Sequence, residues 1–373
     1  MTFRYIDRIF EYVNSVDTAK INEFYELLKE SDLVIPYGSG RSYSSIKIAM
    51  SQLAKLRNAP QVLTPEDTGF PGNTMYEALD NISSRYNSVL LIINSGSGES
   101  YEPINVAEDY IKYREKYNDK YKIAVVTSNP DSTLGKLGSK YGLCIKLEAE
   151  RPPSLDYTTT GIMGDIFELG SLMMFTALVE MFYNDSRDYN RYTETFQKNI
   201  RQYFDRYINS SEYESVLDIL EKRSNVFIGG RGSSDEVATM LVIRLNHVKY
   251  AIGDHVYKAR GSNTPRPRRG DLGILISCSG ETPAVLKWAQ DLRDLGSHVF
   301  SIVGNPVSSL AKISNYTIVL DSCREYKPGT PRDFYMYTSF LLSPLPIKLI
   351  MRLMNRGLVL PEALLRYYHS TME

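Results

Sequence analysis

Short runs of consecutive apolar residues punctuate the chain. They alternate with longer stretches in which apolar residues recur every three or four positions. Continuous runs bounded by Gly, Ser or Pro predict strands buried on both faces, and the longer spacing predicts amphipathic helices. Strands are expected near 32–37, 60–64, 88–94, 121–127 and 143–148, and again near 225–229, 250–253, 271–277, 298–303 and 316–320. Long apolar helices are expected at 162–183 and 334–355, and a helical region at 192–222. Strands and helices in alternation predict the α/β class, with parallel sheets covered on both faces.

The pattern is written twice. DLVIPYGSGRS (32–42) matches NVFIGGRGSS (225–234), SVLLIINSGSGES (88–100) matches DLGILISCSGET (271–282), and YKIAVVTSNPDSTLGKL (121–137) matches HVFSIVGNPVSSLAKI (298–313). Three matches in one order, with spacing that drifts slowly, indicate a duplicated domain. The expected division is 1–190 and 191–373, with polar NDSRDYNRYTET (184–195) as linker. Each half then holds a five-stranded parallel sheet in a three-layer α/β/α sandwich.

Composition narrows the function. The 373 residues carry 43 Lys+Arg and 44 Asp+Glu, for a net charge of -1. That balance argues against a protein built to hold nucleic-acid backbones. The amphipathic N-terminus is unlike a signal peptide, and no uninterrupted apolar run reaches the ~18–20 residues of a membrane span. A cytoplasmic protein with no membrane and no nucleic-acid partner is expected. The three cysteines are too few for a disulfide framework. They lack CxxC spacing, and with only four histidines no metal site is expected.

Strand ends in an open parallel sheet form ligand crevices. The Ser/Gly turns fall there. Ser39, Ser42, Ser95, Ser97 and Ser100 gather in the first half, and Ser233, Ser234, Ser277, Ser279 and Thr282 in the second. Glycines let backbone approach a ligand, hydroxyls donate, and the following helix start favours an anion, so both turns read as phosphate cradles. Glu99 and Glu281 fit helix-start chemistry better than catalysis. GSGRSY (38–43) lacks the third glycine of a dinucleotide fingerprint, and no GxxxxGK[ST] occurs.

These segments resemble the SIS (sugar isomerase) family in tandem, and among its members the 6-phospho-3-hexuloisomerases. GSGRSY (38–43), SGSGES (95–100) and SNPDSTLGKL (128–137) carry the likeness in the first half. RGSSDEVATMLVIRLNHVKY (231–250), SCSGETPAVLKWA (277–289), GNPVSSLAKI (304–313) and YHSTME (368–373) carry it in the second. The resemblance implies a flavodoxin-like α/β/α fold and an aldose–ketose isomerase of a hexose 6-phosphate or related sugar phosphate. It implies an enediolate intermediate and no cofactor or metal. A homodimer is expected.

The family's acid–base positions map onto His247, where the first half has Ala54, and onto Glu168, where the second half has Asp333. His369 matches the family's terminal histidine. Each half thus keeps a different member of the pair, which predicts one composite site from Glu168 and His247 and a second, degenerate one. Arg41 of the GxGRS motif is expected to reach the phosphate. The basic segment 258–271, with Lys258, Arg260, Arg266, Arg268 and Arg269, reads as a solvated loop or an anion clamp. Tyrosines clustered in 183–213 are expected to cover an interdomain or subunit contact. Two alternatives stay open: a sugar-phosphate-binding regulator without catalysis, and an amino-sugar or glycated-amine deglycase on the same scaffold.

Overall fold

The structure, a computed structural model, describes all residues except 1, 69–73, 118, 153, 155, 260–263, 322–326 and 360–373. The expected His369 and Arg260 lie outside the described residues. The first half runs α1 (Arg4–Asn14), α2 (Thr18–Glu30), β1 (Leu33–Gly38), α3 (Gly40–Leu53), β2 (Gln61–Val62), a 3-10 turn, and α4 (Met75–Ile82). It continues with β3 (Val89–Asn94), α5 (Tyr101–Tyr117), β4 (Lys122–Thr127), α6 (Thr133–Tyr141), β5 (Gly142–Lys146), α7 (Tyr157–Thr160) and α8 (Asp165–Asn184). The second half repeats the plan. It has α9 (Tyr189–Tyr207), α10 (Ser211–Leu220), β6 (Val226–Gly229), α11 (Ser233–Tyr250), β7 (Val256–Lys258), β8 (Leu272–Ser277) and α12 (Pro283–Asp294). Then come β9 (His298–Val303), α13 (Ser309–Ile313), β10 (Tyr316–Val319), α14 (Phe334–Leu342) and α15 (Pro344–Asn355).

Both sheets are five-stranded and parallel, in the equivalent orders β2-β1-β3-β4-β5 and β7-β6-β8-β9-β10. Residues of β1, β3 and β8 are buried throughout, as continuous apolar runs require when helices cover both faces. Three elements differ from the sequence expectation. The strand expected at 250–253 is β7 at Val256–Lys258, because the apolar periodicity of α11 carries the helix on to Tyr250. The helix expected at 334–355 breaks at Ser343, where Pro344 opens α15. The linker narrows to 185–188, since Asp188 caps α9 by accepting from the Arg191 amide at 3.2 Å.

Alternate strand residues face different cores. Val34, Leu90, Ile92 and Val126 of the first sheet share one apolar cluster with Ile228, Ile274, Ile276 and Ile302 of the second. The cluster takes in buried residues of α3, α8, α11 and α14. The opposite faces have separate clusters, one around Ile35, Leu91 and Val125 and the other around Phe227, Leu275 and Val299. The two halves therefore share a core. The windows of α8 and of α14–α15 that are apolar enough to cross a membrane are 83% and 94% buried inside it. Of the clustered tyrosines, Tyr189 donates to the Val13 carbonyl across the halves at 3.2 Å, while Tyr207 and Tyr213 bond within the second half.

The halves meet where α3 crosses α11 in antiparallel fashion. Ser51 Oγ lies 2.6 Å from Ser233 Oγ, and Gln52 Nε2 donates to Ser233 at 2.7 Å. Near the middle, Ser44 donates to Glu236 at 3.0 Å and Lys47 pairs with it at 2.8 Å. Gly40 and Gly232, both with positive φ, open the two helices. Ser44 and Glu236 each stand four residues beyond them, so equivalent positions touch and a local twofold axis passes between them.

A second interdomain contact pairs two carboxyls. Glu180 of α8 and Asp333, just before α14, lie close enough for the two carboxyls to act on one another. Burial, then the charge of Asp333, pushes Glu180 up to about 8, and burial pushes Asp333 up to about 6. Both folded-state values lie above the ordinary ones, so the stability the protonated pair contributes is present at acid pH. It is lost as pH rises through about 6 and then about 8. The variant Glu180→Gln is therefore expected to melt higher than the native chain, by a margin that widens between pH 5 and pH 8.5. A margin independent of pH contradicts the assignment.

Candidate active site between the two halves

The turn after β3 is folded by its own hydroxyls. Ser95 Oγ accepts from the Gly98 amide at 3.3 Å and lies 3.4 Å from Ser100 Oγ, and Ser97 Oγ accepts from the Glu99 amide at 3.2 Å. Gly98 has φ +69°, and an added Cβ would lie 2.0 Å from Ser132 Oγ. The Glu99 carboxylate accepts from the Thr133 amide at 2.8 Å and hydroxyl at 2.9 Å, which holds it below its usual range. It caps α6 and is engaged there.

The turn after β8 repeats this bonding. The Gly280 amide donates to Ser277 Oγ at 3.1 Å, the Glu281 amide to Ser279 at 3.2 Å, and the Ser309 amide to Glu281 at 2.7 Å. Ser277 Oγ and Thr282 Oγ1 are 3.0 Å apart. Cys278 replaces Gly96 and is disulfide-bonded.

Glu168 sits in the first turn of α8, one residue beyond Phe167, whose ring is 3.2 Å from where a Gly96 Cβ would lie. The first cradle and Glu168 are thus neighbours. Glu168 Oε2 accepts from Arg41 at 2.7 Å and from Arg244 of the second half at 3.0 Å. Arg244 also pairs with Asp165 at 3.0 Å, and Arg41 with the same Asp165 oxygen. The cluster is closed off: the side chains of Arg41, Arg244 and Asp165 are 5%, 4% and 1% exposed. Burial alone would raise the Asp165 pKa, but Arg244 and Arg41 outweigh it and hold the carboxyl below its usual range. A small cavity beside it is lined by Arg41, Met240, Leu241, Arg244 and Ser343.

The expected site residues divide. Ser95, Ser97 and Ser100 form one cradle, and Ser277, Ser279 and Thr282 the other. Arg41, expected on a phosphate, turns its guanidinium onto Asp165 and Glu168. Its Nε and the Oδ1 of Asn94, next to Ser95, are buried without a protein partner among the described residues. Ser39 precedes α3 without a side-chain cap bond, and the Ser42 carbonyl accepts from Asn94. Ser233 is taken up by Ser51 and Gln52, and Ser234 is buried at the start of α11. His247 is half-buried, one helical turn after Arg244. Lys258 binds Asp235 and Thr239, and Arg266, Arg268 and Arg269 are exposed.

Two registers shift. Counted from Gly40 and Gly232, His247 has Lys55 as its counterpart, where Ala54 was expected. Counted from Gly161 and Gly329, Asp333 answers to Asp165, and Met336 stands opposite Glu168. Asp333 contacts Glu180, twelve residues beyond Glu168, about 18 Å along α8. The residues that sequence reasoning missed are Asp165 and Arg244. Arg244 was legible only as part of IRLNHV, and its role needs the packing of α11 on α3 and α8.

Known proteins share parts of this sequence and its fold. Residues 219–340 match the SIS domain model. The 3-hexulose-6-phosphate isomerase of Methanocaldococcus jannaschii is 29% identical over 39% of this chain and 77% of its own length. The arabinose 5-phosphate isomerase KpsF of Escherichia coli is 29% identical over 37% of this chain and 43% of its own. The chain spans 63% and 64% of two similar proteins, from Archaeoglobus fulgidus and Methanothermobacter thermautotrophicus. Over 95% of its length it superposes on the C-terminal domain of the glucosamine-fructose-6-phosphate aminotransferase of Francisella tularensis, covering 96% of that chain (TM-score 0.60, 17% identity). It superposes equally on the tagatose-6-phosphate ketose/aldose isomerase of Escherichia coli, covering 92% of that chain (TM-score 0.60, 14% identity). The fold is the two-domain SIS fold. The SIS model thus falls within the second half, and the first half repeats the same sheet order.

Removing Arg244 leaves two buried carboxylates facing one guanidinium. Arg244→Ala should cost about 3–5 kcal/mol of unfolding free energy, the usual loss when a buried ion pair is broken. Chemical denaturation reads this, and a loss below about 1 kcal/mol would mean the cluster does not hold the halves together.

Proposed function

We propose that the protein is a phosphosugar isomerase that interconverts the aldose and ketose forms of a hexose 6-phosphate or related sugar phosphate. The observation that carries this reading is the ion pair from Glu168 to Arg244. It ties the carboxylate beside the first cradle to the helix of the other half that bears His247. The isomerase names of the relatives support the class. The substrate phosphate lies against Ser95, Ser97 and Ser100, with the Asn94 side chain close by. Its binding energy fixes the carbonyl end near Glu168.

Arg41 and Arg244 hold Glu168 Oε2, which leaves Oε1 for the substrate. Glu168 takes the proton from the carbon beside the carbonyl and forms an enediolate. It returns the proton to the adjacent carbon, while His247 moves a proton between the two oxygens. The electron pair stays within the substrate, so nothing is oxidised overall and the scheme calls for no cofactor or metal. The second half offers no such pair, since Lys55 and Met336 stand where His247 and Glu168 do. One active site per chain follows.

A panel of pentose and hexose phosphates, followed for aldose–ketose interconversion, tests the reading. Glu168→Gln is expected to lower kcat about 10²–10⁴-fold and His247→Ala about 10²-fold, with modest change in KM. Native rates in both variants would sink the composite site. No turnover on any sugar phosphate, with binding retained, would favour a regulator.

A further inference from the structure

Asn94 ends β3 and is the one polar residue in the run VLLIIN. Alternation along the strand puts it on the face of Leu90 and Ile92, which packs into the core shared by both halves. It is fully buried. Its Nδ2 donates to the Ser42 carbonyl of α3 at 2.8 Å and to Ser171 Oγ of α8 at 3.0 Å. A carbonyl only accepts, so the nitrogen faces Ser42, and Oδ1 is the atom left without a protein partner among the described residues.

These bonds lead to Glu168. Ser171 Oγ donates to the Glu168 carbonyl at 3.2 Å. Ser45 Oγ of α3 lies 2.8 Å from the same carbonyl and 2.9 Å from that of Arg41. The backbone turn that carries Glu168 is thus bonded to the strand end where the first cradle starts, since Ser95 follows Asn94. The duplication supplies a comparison within the molecule. Counted from Ser95 and Ser277, Asn94 has Ile276 as its counterpart, and counted from Gly40 and Gly232, Ser45 has Val237. Counted from Gly161 and Gly329, Ser171 has Ser339, whose hydroxyl turns back to the Tyr335 carbonyl of its own helix at 2.9 Å. The polar link is absent from the half in which Met336 stands at the Glu168 position. Ile276 also shows that the fold accepts an apolar side chain where the first half spends a buried amide, and a buried amide with an idle acceptor is costly.

We infer that Asn94 is a positioning residue that fixes the Glu168 turn at a set distance from the first phosphate cradle. A phosphate held at Ser95 is then placed relative to Glu168 through two hydrogen bonds, Asn94 to Ser171 and Ser171 to the Glu168 carbonyl. Asn94 does not touch the reacting carbons. Its loss leaves the cradle intact and lets the turn of Glu168 drift, and misplacement on the order of 1 Å is enough to slow a positioned proton transfer. The inference rests on the role given to Glu168 in the proposed function and adds the residue that holds it in register.

Kinetics and titration of the full chain carrying Asn94→Leu or Ser171→Ala test it. On the sugar phosphate that the native chain turns over, each variant is expected to lower kcat about tenfold with KM within about twofold of native. The double variant is expected to lose no more than either single one, since both break one link. Binding gives a readout that needs no turnover. The hydroxamate of arabinonic acid 5-phosphate has a planar end shaped like an enediolate, and inorganic phosphate occupies the cradle alone. Asn94→Leu should weaken the hydroxamate about tenfold and leave inorganic phosphate unchanged. Native hydroxamate affinity in Asn94→Leu overturns the inference. Equal weakening of hydroxamate and phosphate overturns it too, because Asn94 would then belong to the cradle. If Asn94→Leu does not fold, Ser171→Ala decides by the same two affinities. The expected split in binding, with no turnover of any sugar phosphate by the native chain, sinks the isomerase reading alone. Native turnover without the split sinks the inference alone.

Discussion

Everything in this molecule depends on the crossing of α3 and α11 and the buried charges it encloses. Two guanidiniums and two carboxylates are removed from water there, at a desolvation cost that only close mutual pairing offsets. Arg41, Asp165 and Glu168 come from one half and Arg244 from the other, so Arg244 is paired, and the second carboxylate charge balanced, only when the halves dock in one register. The apolar core is continuous across the same plane. Hydrophobic burial supplies the bulk of the association, and the ion cluster selects the alignment. That alignment decides which side chain of α11 stands near the first cradle.

The local twofold axis explains why a duplicated chain need not have duplicated sites. Each cradle is built from its own half, and both retain the same hydroxyl-to-amide bonds. The groups facing a cradle come partly from the other half. Substitutions on α3 and on α11 therefore act on different sites, and each site can drift without damaging its counterpart. Glu168 and His247 have Met336 and Lys55 as their counterparts across the axis.

Much of the fold was legible because buried parallel strands are continuous apolar runs, and because the duplication gives each assignment a second reading. Helix ends were less legible: α11 outruns its expected end, since periodicity alone does not say where the last turn stops. The turns 95–100 and 277–282 were legible, being local in sequence, whereas Ser233 is taken up at the crossing of α3 and α11. The rest of the site was not. Arg41 looked like a phosphate ligand because its motif says nothing of Asp165, which lies 124 residues away. Ala54 and Asp333 were placed from short motifs without a fixed origin. The positive-φ glycines provide that origin and move the counterparts to Lys55 and Asp165. Side chains that act across a domain boundary leave no spacing signal in a single chain.

The central claim is that one site is shared by both halves, with the phosphate held by the first and the reacting carbons between Glu168 and His247. A crystal structure of the chain with glucitol 6-phosphate tests it most directly. The account expects the phosphate among Ser95, Ser97 and Ser100, and C1 or C2 within hydrogen-bonding reach of Glu168 and on the side of α11 that carries His247. A ligand whose carbon end points away from α11, or a phosphate seated only in the turn 277–282, would contradict it.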